Sequence, residues 1–309
     1  MFKNLLLIFL LANFFYFTKQ QLLPNIWVSD EEIIELVNYF YSIDYNAARS
    51  NEVELNYQTH TTTRDNQGFA KYPLFTRVDP NILTKPTFKA FLQLMDNYNP
   101  EVGYEEKVTP TELYETDLFL DLITNTTIGK EFYMFLYQKQ HPCAVDINNY
   151  IGCLKHLWFG RYSRARGVMD SSGFEHVFMG ELKNGEVSGL HNWFRFAYLE
   201  STSNKNKFDY KGYLVKRFGL MASVKYTWLG YYKKAGSFFI STSPEFDFFT
   251  YTLCFLFRRG NSGCNVKING CPASITAYEL IQNNNIYIGS LFPNIKEMTE
   301  ECKTYNSNF

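Results

Sequence analysis

The sequence predicts an α+β fold, on three observations. Segments with helical hydrophobic spacing dominate the first half of the 309-residue chain, and short runs rich in Val, Phe, Tyr and Ile, separated by turn residues, dominate the second half. Hydrophobic residues make up 46% and charged residues 20% of the chain, which is a globular composition. No clear linker separates the halves. We therefore predict one domain over residues 24–309, helical over about 24–140 and β-rich over about 141–309.

The first residues carry the pattern of a secretory signal peptide. Lys3 precedes an apolar run at residues 4–17, which is shorter than the roughly 20 apolar residues that a membrane-spanning helix needs. We assign residues 1–20 to a signal peptide, with an uncleaved anchor or a buried helix as the alternatives. A mature chain of this kind is secreted or lies in the lumen of the secretory pathway, and we expect no stable membrane association.

Four helices are predicted in the first half of the chain. Ser29 and Glu32 have the spacing of a capping box, and apolar residues at helical spacing follow them. A proline at the first position or acidic residues in the first turn mark the starts of later helices. The predicted helices cover residues 29–42, 86–98, 110–124 and 128–138.

The second half is predicted to contain short strands. One exception within this half is Ser243 followed by Pro244, which is typical of a helix start with serine as the cap and proline at the first position. Runs of β-branched and aromatic residues between turn residues predict strands at residues 175–182, 237–241, 252–258 and 265–268.

The six cysteines indicate disulfide bonds, because an even number follows a signal peptide. Cys143 and Cys153 bracket a short loop, and Cys254 and Cys264 flank a turn signal, so both pairs are plausible bonds. The sequence leaves the full connectivity open. Asn125 begins a glycosylation sequon, which is used only if the chain enters the secretory pathway and the loop is exposed.

The charge of the chain does not indicate a general nucleic-acid binder. Such proteins usually carry a basic surface, whereas the net charge here is −1. The best local candidate for an RNA contact is the basic run at residues 161–166, with Lys155 nearby. A run of this kind is also typical of a solvated face. Any RNA contact is therefore expected to be local.

Two of the five histidines lie close together around a predicted β-hairpin. Residues 183–186, Lys-Asn-Gly-Glu, predict a two-residue turn, because both central positions favour positive φ angles and Asn-Gly tolerates them. If Lys183 pairs with Glu186, then His176 and His191 lie at the same end of the hairpin. Two imidazoles with different pKa values are what acid–base cleavage of a phosphodiester needs.

A helix is predicted directly after this hairpin. Apolar residues at 190, 193, 194, 197 and 198 follow helical spacing, and Ser188 is a suitable cap. His191 then lies in the first helical turn, where the helix dipole lowers the imidazole pKa and favours a general base. The amide groups there are also expected to favour a phosphate. His176 lies on a predicted strand and is free to carry a proton. Spacing alone leaves ordinary structural histidines equally plausible.

Four blocks of the sequence resemble the EndoU family of uridylate-specific endoribonucleases. The first two are DSSGFEHVFMGE and EVSGLHNWFRF, at residues 170–181 and 186–196. The others lie at residues 228–255 and 264–278, and the likeness runs from about residue 25 to near residue 290. The resemblance implies a helical part packed on a C-terminal half of two small antiparallel sheets with short helices.

The resemblance also implies a reaction and its residues. It implies cleavage of single-stranded RNA at uridines by attack of the 2′-hydroxyl, with 2′,3′-cyclic phosphate and 5′-hydroxyl products. The family histidines correspond to His176 and His191, and the family lysine corresponds to Lys233. We assign His191 as the base, His176 as the acid and Lys233 as the cation that stabilises the phosphorane. Lys234 follows directly, so the inward direction of Lys233 is itself an expectation.

Further residues of the family pattern have supporting roles. Ser237 is expected to bind a uracil carbonyl and Tyr278 to stack on the base or sugar, although either residue has an ordinary structural alternative. The family's acidic residues correspond to Glu175 and Glu181, with the alternative that they hold loops or pair with cations instead of binding metal.

The resemblance implies stimulation by a divalent metal, Mn²⁺ or Ca²⁺, with no ligands evident in the sequence. We expect a monomer whose partner is uridine-containing RNA. The competing interpretation is a catalytically silent RNA-binding or extracellular interaction protein on the same scaffold.

Overall fold

The structure is a computed structural model that describes residues 26–64, 68, 70–260 and 263–307. The signal peptide assigned to residues 1–20 lies outside the described residues. Within the described part of the chain, no helix has both the length and the apolar character needed to cross a membrane.

Among the described residues, the helical part contains five α-helices and a short antiparallel ribbon. The ribbon is formed by strands β1 (Val53–Leu55) and β2 (Phe75–Val78). The helices are α1 (Asp30–Ser42), α2 (Pro86–Gln93), α3 (Pro110–Thr124), α4 (Thr127–Gln138) and α5 (Ile147–Phe159).

The helix starts follow the local signals in the sequence. The Ser29 hydroxyl accepts from the Glu32 amide, and the Glu32 carboxylate accepts from the Ser29 amide, both at 3.1 Å. The predicted helix at residues 86–98 is shorter, because α2 ends at Gln93 and a 3₁₀ turn follows. Helix α5 was not predicted. Its cap is Asp146, but the first residues after the cap include two asparagines, which are weak helix formers.

The β-rich part contains two larger sheets, as the family resemblance implies. One sheet has five strands in the order β5-β6-β9-β8-β7, and the other has three in the order β10-β11-β12. All their pairings are antiparallel except one parallel bridge between Glu186 and Tyr232. The two-residue strands β3 (Arg161–Tyr162) and β4 (Ser171–Ser172) form a small ribbon beside them.

The bounds of the remaining elements are as follows. The five-stranded sheet contains β5 (Glu181–Lys183), β6 (Glu186–Ser188), β7 (Asp209–Arg217), β8 (Met221–Trp228) and β9 (Tyr231–Phe239). The three-stranded sheet contains β10 (Cys264–Ile268), β11 (Cys271–Gln282) and β12 (Asn285–Ile295). The helices are α6 (Trp193–Ser201), α7 (Ser203–Asn206), α8 (Pro244–Arg258) and α9 (Glu300–Tyr305).

Two strand predictions are wrong in informative ways. Residues 252–258 form the second half of α8, and Glu175–Met179 is a π-helical turn rather than the start of a strand. Helix α8 is buried on all sides from Pro244 to Phe257, so its apolar residues show no helical stripe. An apolar run of this kind cannot be distinguished from a strand by periodicity.

One aromatic stack joins the helical part to the segment that carries His176. The Trp158 ring on α5 stacks on Phe178 at a centroid distance of 4.9 Å and on Phe248 of α8 at 4.7 Å. Its indole N–H donates to the Thr252 hydroxyl at 2.9 Å. Trp158 is fully buried within a hydrophobic cluster that includes residues from Val28 to Cys302.

Three disulfide bonds involve all six cysteines. The two plausible pairs, Cys143–Cys153 and Cys254–Cys264, are both present, each with a Cα–Cα distance of 5.5 Å. The third bond joins Cys271 on β11 to Cys302 on α9. The cross-links therefore lie in the helical part, at the end of α8 and at the last helix.

We expect Trp158→Ala to lower the free energy of unfolding by about 3–5 kcal/mol, because it removes a buried ring from two stacks and leaves a cavity. Chemical denaturation measures this change. Trp27, which is 79% exposed, provides the control: Trp27→Ala should change the free energy of unfolding by about 0.5 kcal/mol or less. Equal effects of the two substitutions would contradict the role given to the stack.

Candidate active site

A cleft of about 430 Å³ lies between the five-stranded sheet and β12. Both histidines of the hairpin region line it, with side chains from β9, β8, β7 and β12. The described residues that line the cleft include no carboxylate; they are His176, Ser188, Gly189, His191, Val215, Ser223, Lys233, Ala235, Ser237, Ser290, Phe292, Pro293, Asn294 and Ile295.

The hairpin brings the two histidine segments to one end, as expected. Lys183 pairs with Glu186, and Glu181 pairs with Ser188, across a turn in which Asn184 and Gly185 have φ values of 51° and 80°. His176 precedes β5 and His191 follows β6, so both lie beyond the last hairpin pair.

Two backbone hydrogen bonds hold these segments together beyond the hairpin. The Leu190 amide donates to the His176 carbonyl at 3.1 Å, and the His191 amide donates to the Val177 carbonyl at 2.7 Å. Gly189 has φ of +67°, and a Cβ added there would lie 1.6 Å from the His176 carbonyl oxygen. The segments can approach this closely only because residue 189 has no side chain.

His176 is buried and oriented by a carboxylate. Its Nδ1 donates to Glu181 at 2.7 Å, and its Nε2 lies 3.1 Å from the Ser290 hydroxyl. Burial lowers the pKa of His176, and the Glu181 charge opposes that change. Burial raises the pKa of Glu181, but His176 and Arg164 outweigh it and the pKa is lowered overall. The carboxylate therefore favours the Nδ1–H form and a protonated ring.

Arg164 belongs to this arrangement, and the basic run is not simply a solvated face. Its guanidinium lies 3.2 Å from Glu181, and it also donates to the Gly289 carbonyl and to the Tyr162 hydroxyl. The solvated-face alternative is therefore wrong for Arg164, because its guanidinium is mostly buried against Glu181. The RNA contact expected at residues 161–166 stays a prediction.

His191 has a different environment. Its Nδ1 donates to the Ser237 carbonyl at 2.9 Å, which leaves Nε2 as the proton acceptor. The ring stacks on Phe292 at a centroid distance of 5.2 Å, and the Tyr251 hydroxyl donates to the His191 carbonyl. Burial, followed by the Lys233 charge, holds the pKa of His191 well below its ordinary value. His191 is therefore neutral at neutral pH.

The predicted cause of this low pKa is wrong. Helix α6 begins at Trp193 with Asn192 as its cap, so His191 precedes the helix and Ser188 is not the cap. Gly189 and Leu190 have φ of 67° and 63°, a left-handed backbone that cannot start a right-handed helix. The amides of residues 190 and 191 already donate to carbonyls, so the expected amide site for a phosphate is also absent there.

Lys233 is directed into the cleft and Lys234 away from it. The Lys233 ammonium donates to the Gly189 carbonyl at 2.9 Å, whereas Lys234 is exposed and lies 3.4 Å from Glu186. Successive side chains on β9 point to opposite faces, which separates the two lysines. Burial lowers the pKa of Lys233 to about 8.

The two candidate base-binding residues differ in position. Ser237 lines the cleft on β9, next to the carbonyl that orients His191. Tyr278 on β11 does not line the cleft; it is 56% exposed, pairs with Ser290 across the sheet, and lies 6.3 Å from the Phe292 ring. Tyr278 therefore lies beside the residues that contact the two histidines.

The two candidate acidic residues also lie in different surroundings. Glu181 contacts His176, but Glu175 lines a pocket of about 620 Å³ on the helical side, together with Glu106. Neither Glu175 oxygen accepts a hydrogen bond from a described residue. Burial, then the charges of Glu181 and Glu106, raise the pKa of Glu175 well above its ordinary value. Adjacent residues 175 and 176 therefore face different cavities.

Three contacts of the site were missed in the sequence. Ser290 and Phe292 lie on β12, more than 100 residues after His176, and that strand was not predicted. Arg164 was recognised only as part of a basic run. No spacing signal links these positions, because sequence-distant strands are brought together only by the sheet.

The expected divalent metal finds no ligand set in the described part of the chain. No group of three or more His, Cys, Asp or Glu residues there is arranged to hold a metal ion. Asn125 is outside the cleft, at the exposed end of α3, where its amide donates to the Asp121 carbonyl and carboxylate.

Comparisons with known proteins identify the family to which this fold and sequence are similar. The family model described as Endoribonuclease XendoU matches residues 32–293. The "Uridylate-specific endoribonuclease" of Bos taurus is 39% identical over 258 residues, and "Uridylate-specific endoribonuclease D" of Xenopus laevis is 37% identical over 276 residues. These alignments cover 81% and 86% of this chain.

The alignments cover different fractions of the two relatives' lengths. The chain spans 61% of the Bos taurus relative's length and 90% of the Xenopus laevis relative's length. The solved structure described as "The structure of XendoU: a splicing independent snoRNA processing endoribonuclease" matches with a TM-score of 0.72 and 32% identity. That match covers 86% of this chain and 97% of the solved chain, so the likeness extends through both parts of the fold.

We expect Gly189→Ala to lower the free energy of unfolding by about 3 kcal/mol or more, because the new Cβ overlaps the His176 carbonyl. Gly185→Ala is a matched control. Gly185 also has positive φ, but nothing lies within 4 Å of an added Cβ, so the cost should be about 1 kcal/mol. Urea denaturation of both variants measures the difference, and similar losses would rule out the close approach as its cause.

We expect Glu181→Gln to lower the pKa of His176 further, by about one pKa unit or more, because the carboxylate that stabilises the protonated ring is removed. NMR titration of the imidazole resonances measures this pKa. Glu186→Gln, at an exposed carboxylate on the same hairpin, should leave it unchanged. An unchanged or raised pKa in the Glu181 variant would contradict the assigned contact.

Proposed function

We propose a function for this chain from the premise that it belongs to the Endoribonuclease XendoU family: it is an endoribonuclease that cleaves single-stranded RNA at uridines. The names of its relatives support this reaction. The observation that carries the proposal is the cleft, where two buried histidines with different partners share a cavity with one lysine. A cavity whose described lining holds a lysine ammonium and no carboxylate suits a phosphodiester.

His191 is the proposed general base. The 2′-hydroxyl of the uridine must lose its proton as its oxygen attacks the phosphorus atom. The Nε2 of His191 is available as the acceptor, because Nδ1 donates to the Ser237 carbonyl. A low pKa keeps this ring neutral and ready to accept the proton.

His176 is the proposed general acid. As the bond from 2′-oxygen to phosphorus forms, the bond from phosphorus to the 5′-oxygen breaks, and that oxygen needs a proton. A protonated His176 donates it from Nε2, while Nδ1–H stays bonded to Glu181. The products are a 2′,3′-cyclic phosphate and a 5′-hydroxyl.

Lys233 is the proposed stabiliser of the transition state. The pentavalent phosphorane gathers negative charge on its non-bridging oxygens, and the Lys233 ammonium is held in the cleft by the Gly189 carbonyl. One such donor is worth roughly 3 kcal/mol in other enzymes. Its charge also disfavours protonation of His191, which helps the base in the free protein.

Selection of uridine is assigned to the two residues that the family resemblance implies. The Ser237 hydroxyl is the proposed hydrogen-bond partner of a uracil carbonyl, and its place in the lining of the cleft supports this role. Tyr278 is the proposed stacking surface for the base or sugar, supported by its exposed ring beside Phe292.

The remaining proposals concern conditions and location. Mn²⁺ or Ca²⁺ is proposed to stimulate cleavage, on family resemblance alone. The described residues do not fit a resident metal centre, so none of the steps above uses a metal. The chain is proposed to be a secreted monomer without stable membrane association, and exposed Asn125 is then open to glycosylation.

The test is cleavage of an oligonucleotide that carries a single uridine, with analysis of both product ends. His176→Ala, His191→Ala and Lys233→Ala should each lower kcat by about 100-fold or more, because each removes a group used only in the transition state. Lys234→Ala is the matched control and should retain near-normal activity. Parallel reactions with Mn²⁺, Ca²⁺ or a chelator test metal stimulation.

A catalytically silent RNA-binding or extracellular interaction protein remains the alternative function. It would bind the same oligonucleotide and leave it whole under every metal condition. Full activity in either histidine variant would contradict the catalytic assignment instead.

We expect a bell-shaped dependence of kcat/KM on pH. Activity rises at acid pH as His191 loses its proton, well below the ordinary histidine range, and falls as His176 loses its own. The fall should steepen above about pH 8, where Lys233 becomes neutral. Lys233→Arg should remove this steepening, because arginine stays charged. Initial rates across pH measure the profile, and an identical steepening in the arginine variant would exclude Lys233 as its cause.

A further inference from the structure

A second cavity, of about 840 Å³, lies next to the proposed active site. Its wall is mostly apolar, with Tyr57, Phe218 and Met298 among the lining residues. Of the described residues that line it, Lys216 is the only one with a charged side chain. Like the cleft, this cavity therefore presents no carboxylate from the described chain, although the whole sequence has 31 acidic residues.

The two cavities share the end of the same edge strand. Val215 of β7 lines the cleft, whereas Lys216 and Phe218 line the second cavity. Successive side chains of a strand point to opposite faces, so the cavities lie on either side of β7, within about 10 Å along the chain. Strand β7 is the last strand of its sheet. Its outer edge pairs with the segment at residues 59–61 at Tyr213, so a ligand that crosses β7 does so beyond that pairing, near residues 215–217.

A cation lies at this crossing. Arg217 donates from its terminal nitrogens to the carbonyls of Lys216 and Lys296, at 3.0 and 2.8 Å. Its buried Nε has no hydrogen-bond partner, and no described carboxylate pairs with the guanidinium. Lys296 immediately follows the cleft residue Ile295 and precedes Met298 of the second cavity. Arg217 thus connects the rims of both cavities with a charge that lacks an anion.

The second cavity also has aromatic surface beside its cation. The Lys216 ammonium lies 4.9 Å from the centroids of both the Tyr57 and Tyr213 rings. The Tyr57 hydroxyl donates to the Phe218 carbonyl at 2.9 Å, which fixes the ring of Tyr57 in the wall. In the described part of the chain, Lys216 forms no ion pair. Aromatic faces with nearby cations are the usual means of holding single-stranded nucleic acid without sequence preference.

We propose that the second cavity is a subsite for a nucleotide that flanks the cleaved uridine, with the RNA backbone crossing Arg217 and Lys216 and a base packing against Tyr57 and Phe218. The inference rests on the proposed function and deepens it. It makes the substrate an extended single strand rather than a dinucleotide. The charges of Arg217 and Lys216 match a polyanion, and the apolar wall matches a base face.

The test compares a trinucleotide with a central uridine and a longer oligonucleotide that extends it on both sides with adenosines. The wild-type chain should show the lower KM for the longer substrate. Lys216→Gln should raise that KM by about five-fold at low salt and leave kcat unchanged, because one phosphate contact is lost. Both constants for the trinucleotide should stay the same. Lys130→Gln, at an exposed lysine on α4, is the matched control and should change neither substrate.

A binding experiment tests this inference independently of the proposed reaction. The longer strand with 2′-deoxyuridine at the scissile position cannot react, and fluorescence anisotropy measures its Kd. Lys216→Gln should reduce the slope of log Kd against log salt by about 0.7, the value for one single-strand phosphate contact. An abasic site at one flanking position should weaken binding by the wild type and so identify the side that is bound.

The outcomes are distinct. Failure of the wild type to cleave either substrate would overturn the proposed function, while the binding experiment would still decide on the subsite. An unchanged salt slope in Lys216→Gln, or equal changes in KM for short and long substrates, would overturn the subsite. Loss of the length effect in Lys216→Gln alone, with a reduced slope, would support it.

Discussion

The close approach of the Gly189 backbone to the His176 carbonyl is the contact on which the site depends. It permits the hydrogen bonds from the amides of Leu190 and His191 to the preceding histidine segment. These bonds place both imidazoles on one cleft, although His176 lies within a π-helical turn and His191 precedes a helix. The Gly189 carbonyl also accepts from Lys233, so the same residue orients the cation.

Polar side chains in the first turns of helix α8 hold the segment that carries His191. Asp247 accepts from the side-chain amide nitrogen of Asn192 at 3.0 Å. The side-chain oxygen of Asn192 in turn caps α6 by accepting from the Arg195 backbone amide. Tyr251, one turn later on α8, donates to the His191 carbonyl. The buried face of α8 therefore serves the site as well as the core, because Asp247 and Tyr251 contact Asn192 and His191 from the interior of the protein.

The sequence predicts the parts of the fold that depend on local signals. The capping box at Ser29 and the Asn-Gly turn at residues 184–185 specify their elements within a few residues, and both are present. The π-helical turn at His176 and the second half of the buried α8 are wrongly predicted as strands, because apolar runs lose their period when no face meets solvent. Ser290 and Phe292 were missed because only sheet pairing, not spacing, brings β12 to the histidines.

Gly189 and the neighbouring catalytic candidates are constrained for different reasons, one by the stability of the fold and the others by the proposed reaction. A side chain at this position conflicts with the backbone whether or not the protein cleaves RNA, so the glycine contributes to the stability of the fold. His176, His191 and Lys233 carry the proposed chemistry, and truncation of their side chains leaves that backbone contact in place. A lineage that abandoned catalysis would keep the glycine while these three side chains drifted. A glycine at this position therefore indicates that a chain has this fold, whereas the two histidines and the lysine indicate the proposed catalytic activity.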